Sequence, residues 1–383
     1  PPAPNPPLIT MRIARTCNPD LALLLAVLGL VAIGLPAIYS ASHVADGAGK
    51  VVRQLIWAAI GLIGLGVTAL IDYRGLSRYF RLYAGLLIIV LLVTLFAARE
   101  VNGARSWIDL GLFKLQPSEL GKLCLILGFA GLAARAGALL QTPPVFLKGL
   151  LFVGVPLVLV LVQPDMGTAF VYGMIWLGIM LASQARGWMI CAVLALVVIG
   201  FTAAWKLDLF LPHQKQRLDF LHADPAGHGY HQQQALIAIG AGEFWGKGYL
   251  RGTQAQRGFL PEQDTDFIFA GIGEEFGFVG LLVLMGLYLF ILLRLLRIIE
   301  EAETTFGRLV TAGVFAMLAA HVIVNIGMCL KLLPVTGVPL PFVSYGGSNL
   351  LTNLLAIGLV LAISRHRQRA RTWASPEETL IRM

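Results

Sequence analysis

Charge is scarce in this sequence. Asp, Glu, Lys and Arg make up 13% of its 383 residues, where a soluble chain carries about a quarter. That shortage excludes a pair of ordinary water-soluble domains. Cysteine is sparse too: Cys17, Cys124, Cys191 and Cys329 stand far apart without a CxxC spacing, which excludes a disulfide framework and a thiolate metal centre. The seven histidines show no ligand spacing either, so no metal site is expected from protein ligands alone. A compact basic domain is also missing. The net charge of +8 comes from Lys and Arg scattered between apolar runs, which argues against nucleic acid and for membrane topology and lipid headgroups.

Apolar residues fill the gap: 57% of the chain is hydrophobic and its mean hydropathy is +0.77. Runs at 20–42, 52–71, 79–98, 117–136, 145–163, 166–183, 187–205, 266–293, 308–332 and 349–364 predict an all-α polytopic membrane protein of about ten transmembrane helices. The first run follows Arg12 and Arg15 and is too long for a signal-peptide core, so it reads as an uncleaved span. Residues 20–364 then form one membrane domain, between a Pro-rich segment 1–19 and a basic tail 365–383.

Orientation follows from Lys and Arg. With the N-terminus inside, Arg12, Arg15, Arg74, Arg78, Arg81, Arg135, Lys148, Arg186, Arg294, Arg297, Arg308 and the arginines of the tail share the inner side, which sets both termini in the cytoplasm. One large external loop remains, residues 206–265 between spans seven and eight. Its stretch "HQQQALIAIGAGEFWGKGYL" is apolar enough to lie against a membrane, and a loop that long is usually functional or disordered.

Ionisable groups at membrane depth are costly and mark functional positions. Glu119 and Lys122 in "LQPSELGKL" lie three apart, hence on one helical face, with Pro117 suited to the first turn. They read either as an interfacial ion pair or as a pair facing a polar cavity. Asp165 in "QPDMGTA" reads as a helix cap. Glu274 and Glu275 sit in "GIGEEFGFVG", a glycine-rich stretch that permits close packing or a break, and read as support. The segment "LPVTGVPLPFVSYGGSN" reads either as a re-entrant or cavity-lining loop, whose backbone N–H groups and Ser344 and Ser348 could hold phosphate oxygens, or equally as a rigid packed turn. Three carboxylates, Glu262, Asp264 and Asp266, crowd "FLPEQDTDFIF" in front of the eighth span, and nothing in the peptide itself ranks them.

Five stretches, "NGARSWIDLG", "LQPSELGKL", "QPDMGTA", "GKGYLRGTQAQRGFLPEQDTDFIFAGIGEEFG" and "LPVTGVPLPFVSYGGSN", together resemble the SEDS family (shape, elongation, division and sporulation), and "GTQAQ" favours its RodA branch over its FtsW branch. The resemblance implies a peptidoglycan glycosyltransferase of the bacterial cytoplasmic membrane, polymerising lipid II with a class B penicillin-binding protein as partner. It maps the family's essential aspartate onto Asp266 and a polar cavity pair onto Glu119 and Lys122. Two positions depart: 264 is often histidine and is Asp264 here, and 331 is often glycine and is Lys331 here.

The chemistry needs a base for the acceptor hydroxyl, positive groups for the departing pyrophosphate, and in-line geometry. Asp266 is the expected base, with inversion at the donor's anomeric carbon. Lys122 and Arg105 are the expected phosphate contacts, Glu119 orients Lys122 or adjusts its charge, and Lys331 is either an additional phosphate contact or an idle interface cation. A divalent cation, Mg or Mn, could bridge carboxylate and pyrophosphate, although the sequence does not demand one. Two rivals are a lipid II flippase and a non-catalytic scaffold activating a penicillin-binding protein.

Overall fold

The computed structural model describes residues 20–97, 99–101, 104–109, 114–208, 229–256, 259–260 and 262–373. The N-terminal segment 1–19 and the end of the basic tail lie outside them. The helices are α1 (Leu21–Asp46), α2 (Gly49–Leu70), α3 (Phe80–Ala97), α4 (Pro117–Ala136), α5 (Pro143–Val162), α6 (Met166–Ala182), α7 (Gly187–Lys206), α8 (Tyr230–Ala241), α9 (Ile268–Glu301), α10 (Thr305–Cys329) and α11 (Gly347–Trp373). Among the described residues nine are long and apolar enough to cross a membrane, and the 17-residue α6 is a shorter apolar tenth. This is the expected polytopic bundle, and α8 and the single-turn helix Thr253–Gln256 do not span.

Three short strands were not expected. Arg99–Val101 (β1), Ala104–Asp109 (β2) and Lys114–Leu115 (β3) form an antiparallel sheet in that order between α3 and α4. The apolar part of two helices also underestimates their length. α9 runs on to Glu301 and α11 to Trp373, because a helix keeps its backbone bonds through charged turns beyond the lipid.

α10 and α11 are buried on most faces and form the centre, while α7 is the most lipid-facing helix. Close approach of α11 to α2 rests on Gly358, where a Cβ would collide with Thr68 Oγ1 and the Leu65 carbonyl. Asp20 fastens one end of the bundle: its Oδ1 accepts from Leu23 N at 3.2 Å, capping α1, and its Oδ2 accepts from Arg294 Nε of α9 at 3.1 Å.

The part of the large loop that follows residue 228 folds onto the bundle. Gln232 of α8 donates to the Met328 and Leu333 carbonyls at 3.0 and 2.8 Å, tying α8 to the end of α10. The next turns enter a break in α9. There Gly277 has φ 65°, and the interrupted ladder is taken over from outside: Lys247 N and Gly248 N donate to the Glu274 and Glu275 carbonyls, both at 3.0 Å, and Phe278 N donates to the Glu243 carbonyl at 2.9 Å. Glu274 seals the junction, accepting from Lys247 Nζ (2.8 Å), Thr253 N (2.7 Å) and Gln254 N (2.9 Å). Glu275 accepts from Leu250 N (3.2 Å) and the Ser40 hydroxyl. Both glutamates are therefore supports, as expected. A side chain at 277 must take a left-handed φ and meet the Gly246 and Phe244 backbone. Gly277→Ala is expected to destabilise the protein by about 2 kcal/mol or more, read as a lowered midpoint of thermal unfolding in detergent.

Candidate active site

Helix parity collects the polar groups at one end of the bundle: α4, α6, α9 and α11 begin there and α10 ends there. Asp266 stands at that end, just before α9. Its turn is tight. Thr265 N, Asp266 N and Phe267 N all donate to the Glu262 carbonyl, at 3.3, 3.0 and 3.2 Å, with Glu262 itself at φ 47°. Four neighbours then lock the turn in place. Asn325 of α10 donates to the Asp266 carbonyl at 2.9 Å and, with its other N–H, to the Val338 carbonyl at 2.9 Å. Ser344 Oγ donates to the Thr265 carbonyl at 2.6 Å. Tyr345 N donates to the Asp264 carbonyl at 2.8 Å, and Gln263 donates to the Ala41 carbonyl. The half-buried Asp266 carboxylate faces Gly337, whose φ is 71° and where a Cβ would stand 3.7 Å from Asp266 Oδ2.

Asp264 is held in an ion pair. Its Oδ2 lies 2.6 Å from Lys50 Nζ, which comes from the start of α2 and also rests over the Tyr345 ring, 5.6 Å from its centroid. The pair neutralises the charge beside Asp266 and joins the start of α2 to the turn that carries it.

Deeper in the same end, Lys122 and Glu119 are almost fully buried and 2.7 Å apart. The lysine also reaches His321 Nε2 of α10 at 2.9 Å. His321 Nδ1 lies 2.7 Å from the Met317 carbonyl, so Nδ1 carries the proton and Nε2 offers its lone pair to the ammonium. Glu119 Oε2 accepts from Asn349 Nδ2 of α11 at 3.1 Å, and Asn353 bonds to Asn349 in turn. The pair is thus a full intramembrane network spanning three helices, and Lys122 keeps one of its three N–H groups uncommitted by these bonds.

α10 connects the two clusters. His321 and Asn325 are four residues apart on one face, so the Lys122 contact and the Asp266 contact are separated by about 6 Å along the helix axis. Asp165 closes the same end from α6. It caps that helix through Thr168 N (2.9 Å) and accepts from Gln116 Nε2 at 3.1 Å, the cap that its position predicts.

Three of the expected contacts are placed as follows. Ser344 donates its one proton to the Thr265 carbonyl and accepts from Leu340 N at 2.9 Å, which clamps the loop. Lys331 lies in the turn after α10 and forms no ion pair among the described residues. Its φ is 55°, the left-handed region glycine enters freely, which gives a backbone reason for a glycine at this position. Arg105 lies on β2, with its side chain outside the described ones. Burial pushes the pKa of His231 of α8 below the usual value, opposed in part by the Glu262 charge.

Sequence reasoning missed Lys50, His321, Asn325 and Asn349. The polar spacing "HVIVN" at i and i+4 within an apolar span was the readable signal for His321 and Asn325.

The family model for the cell cycle proteins FtsW, RodA and SpoVE matches residues 15–369. The chain belongs to the FtsW/RodA/SpoVE family. Among relatives of this family member, the peptidoglycan glycosyltransferase MrdB of Escherichia coli K12 is 39% identical, over 91% of this chain and 94% of that protein. The peptidoglycan glycosyltransferase RodA of Treponema pallidum is 32% identical, over 92% and 99%. The structure described as the structural coordination of polymerization and crosslinking by a peptidoglycan synthase complex contains a chain that matches with a TM-score of 0.77 at 30% identity, over 91% of this chain and 98% of that one. The crystal structure of the rod shape determining protein RodA of Thermus thermophilus matches with a TM-score of 0.68 at 29% identity, over 91% and 97%. The FtsW/RodA/SpoVE membership bears out the resemblance read from the five motifs, and with it the polytopic membrane fold.

Substitutions at positions 50, 264 and 331 test this construction. Lys50→Ala strands the buried Asp264 charge and is expected to cost about 1–2 kcal/mol, less than a fully buried pair because Lys50 is partly exposed. Lys50→Ala with Asp264→Ala is expected to recover most of that loss, and a double-mutant cycle of unfolding midpoints measures it. Lys331→Gly is expected to leave stability unchanged or raise it by up to about 1 kcal/mol, by relieving the left-handed backbone.

Proposed function

We propose that this chain polymerises lipid II on the outer face of the bacterial cytoplasmic membrane, with Asp266 as the base that activates the acceptor 4-hydroxyl. That it is a peptidoglycan glycosyltransferase follows from its family and from relatives at 32–39% identity over most of its length. The observation that carries the mechanism is the clamping of the Asp266 turn by α10, the 334–346 loop and the start of α2, with the buried Lys122–Glu119 pair one helical turn deeper.

The reacting groups need only positioning and charge. Asp266 takes the proton of the acceptor hydroxyl as the oxygen attacks the donor's anomeric carbon with inversion. The C–O bond to the pyrophosphate breaks on the opposite side, and the pyrophosphate leaves as an anion that needs no general acid. Lys122 supplies positive potential from beneath, oriented by Glu119 and His321, and Arg105 and Lys331 are the candidate contacts nearer the surface. A Mg or Mn ion, when bound, would screen the pyrophosphate charge. Among the described residues no three His, Cys, Asp or Glu side chains converge on one point, so such an ion would take Asp266 and substrate oxygens, the usual manner of magnesium.

The end opposite Asp266 carries Arg74, Arg78, Arg81, Arg135 and Lys148, which supports a cytoplasmic placement of that end and of both termini. A class B penicillin-binding protein is the proposed partner, supported by the similar chain in a complex that couples polymerization to crosslinking.

The deciding experiment is lipid II polymerisation by the purified protein in detergent, with and without the partner. Asp266→Asn is expected to reduce chain growth by at least about a hundredfold with an unchanged unfolding midpoint, and Asp264→Ala by far less. Near-normal glycan strands from Asp266→Asn would overturn the assignment. Absence of polymer from wild type with its partner would instead favour a flippase or scaffold, since detergent offers no second compartment.

A further inference from the structure

A cavity lies away from Asp266, in the half of the bundle where α3 and α5 begin. Ala84, Leu87 and Ile88 of α3 face Leu151, Phe152 and Val155 of α5 across about 280 Å³, and Lys148 closes one end. Phe152 packs on Gly128, where a Cβ would stand 3.0 Å from its ring, and stacks with Phe129 at 6.0 Å. Leu86, Leu147, Leu151 and Val155 remain exposed around the opening, so the cavity opens sideways toward lipid rather than into water.

Its rim is basic. Arg81 lies one turn before Ala84, and the guanidinium groups of Arg81 and Arg135 approach the Phe80 ring at 5.6 and 5.0 Å. Contact with a ring face leaves the N–H edges of a guanidinium available to an anion. None of Arg81, Arg135 and Lys148 forms an ion pair among the described residues. The sequence places no acid within 73–97 or 120–164, so local carboxylates from these segments do not offset the three cations.

We propose that this groove binds an anionic membrane phospholipid, with its phosphate on Lys148, Arg81 and Arg135 and one acyl chain between α3 and α5. Apolar walls alone would accept any lipid tail, and cations alone would accept any phosphate. The combination at a helix end, where headgroups meet hydrocarbon, selects a lipid with a net negative head. The site is distinct from the glycosyl-transfer end, so its occupant is a resident lipid and not the substrate.

The test uses the full chain in nanodiscs of phosphatidylcholine doped with phosphatidylglycerol, followed by detergent extraction and mass spectrometry of the lipid that stays bound. Wild type is expected to retain phosphatidylglycerol about fivefold or more above its share of the bilayer. Lys148→Gln with Arg81→Gln should bring that enrichment close to one. Ala84→Phe, which fills the groove and keeps every charge, should lower it as well. All three substitutions are at or near the lipid-facing surface, and unfolding midpoints in detergent without added lipid check that the fold persists. Retention in proportion to the bilayer by wild type, or enrichment unchanged in the charge variant, overturns the proposal. Enrichment that survives Ala84→Phe overturns the groove as its seat.

Discussion

Lys122 and Glu119 are ions held almost entirely away from solvent, and the arrangement of the central helices answers to that fact. A lone charge at this depth is costly, and breaking a buried pair by removing one partner typically costs about 3–5 kcal/mol. α4 supplies the pair, α10 adds a neutral imidazole acceptor, and α11 adds an amide donor to the free carboxylate oxygen. Each helix is thereby fixed in rotation as well as in distance. Once α10 is fixed by His321, Asn325 one turn further along has a single direction, and it points at the backbone of the Asp266 turn.

The same economy of polar groups shapes the outer elements. The break in α9 frees backbone donors and acceptors that lipid cannot satisfy, and the 243–250 segment is drawn in to meet them, with Glu274 sealing the join. A stretch that reads as a surface loop is thus part of the eighth span. It also explains why the loop beyond residue 228 stays close to the site: it is hydrogen-bonded at α10 through Gln232 and at α9 through the break.

Much of this was legible in the sequence, and the division has a physical basis. Apolar length and local capping rules act over a few residues, so the spans, Pro117 at a helix start and Asp165 at a cap are read directly. Asp266 was singled out by motif resemblance rather than by its local chemistry. The partners that make the site rigid were hidden because they are distant in sequence: Lys50 meets Asp264 across 214 positions and Lys122 meets His321 across 199. No periodicity encodes such a meeting. Three short strands between α3 and α4 escaped for a different reason, being too brief for an alternating pattern to stand out.

The pairing of Lys50 with Asp264 ties two distant parts of the sequence to one turn. Removing either partner alone leaves an uncompensated charge against the turn that carries Asp266, and removing both leaves none. The side chains at 50 and 264 therefore act as a single electrostatic unit, and the segment that begins α2 is part of what holds that turn in register.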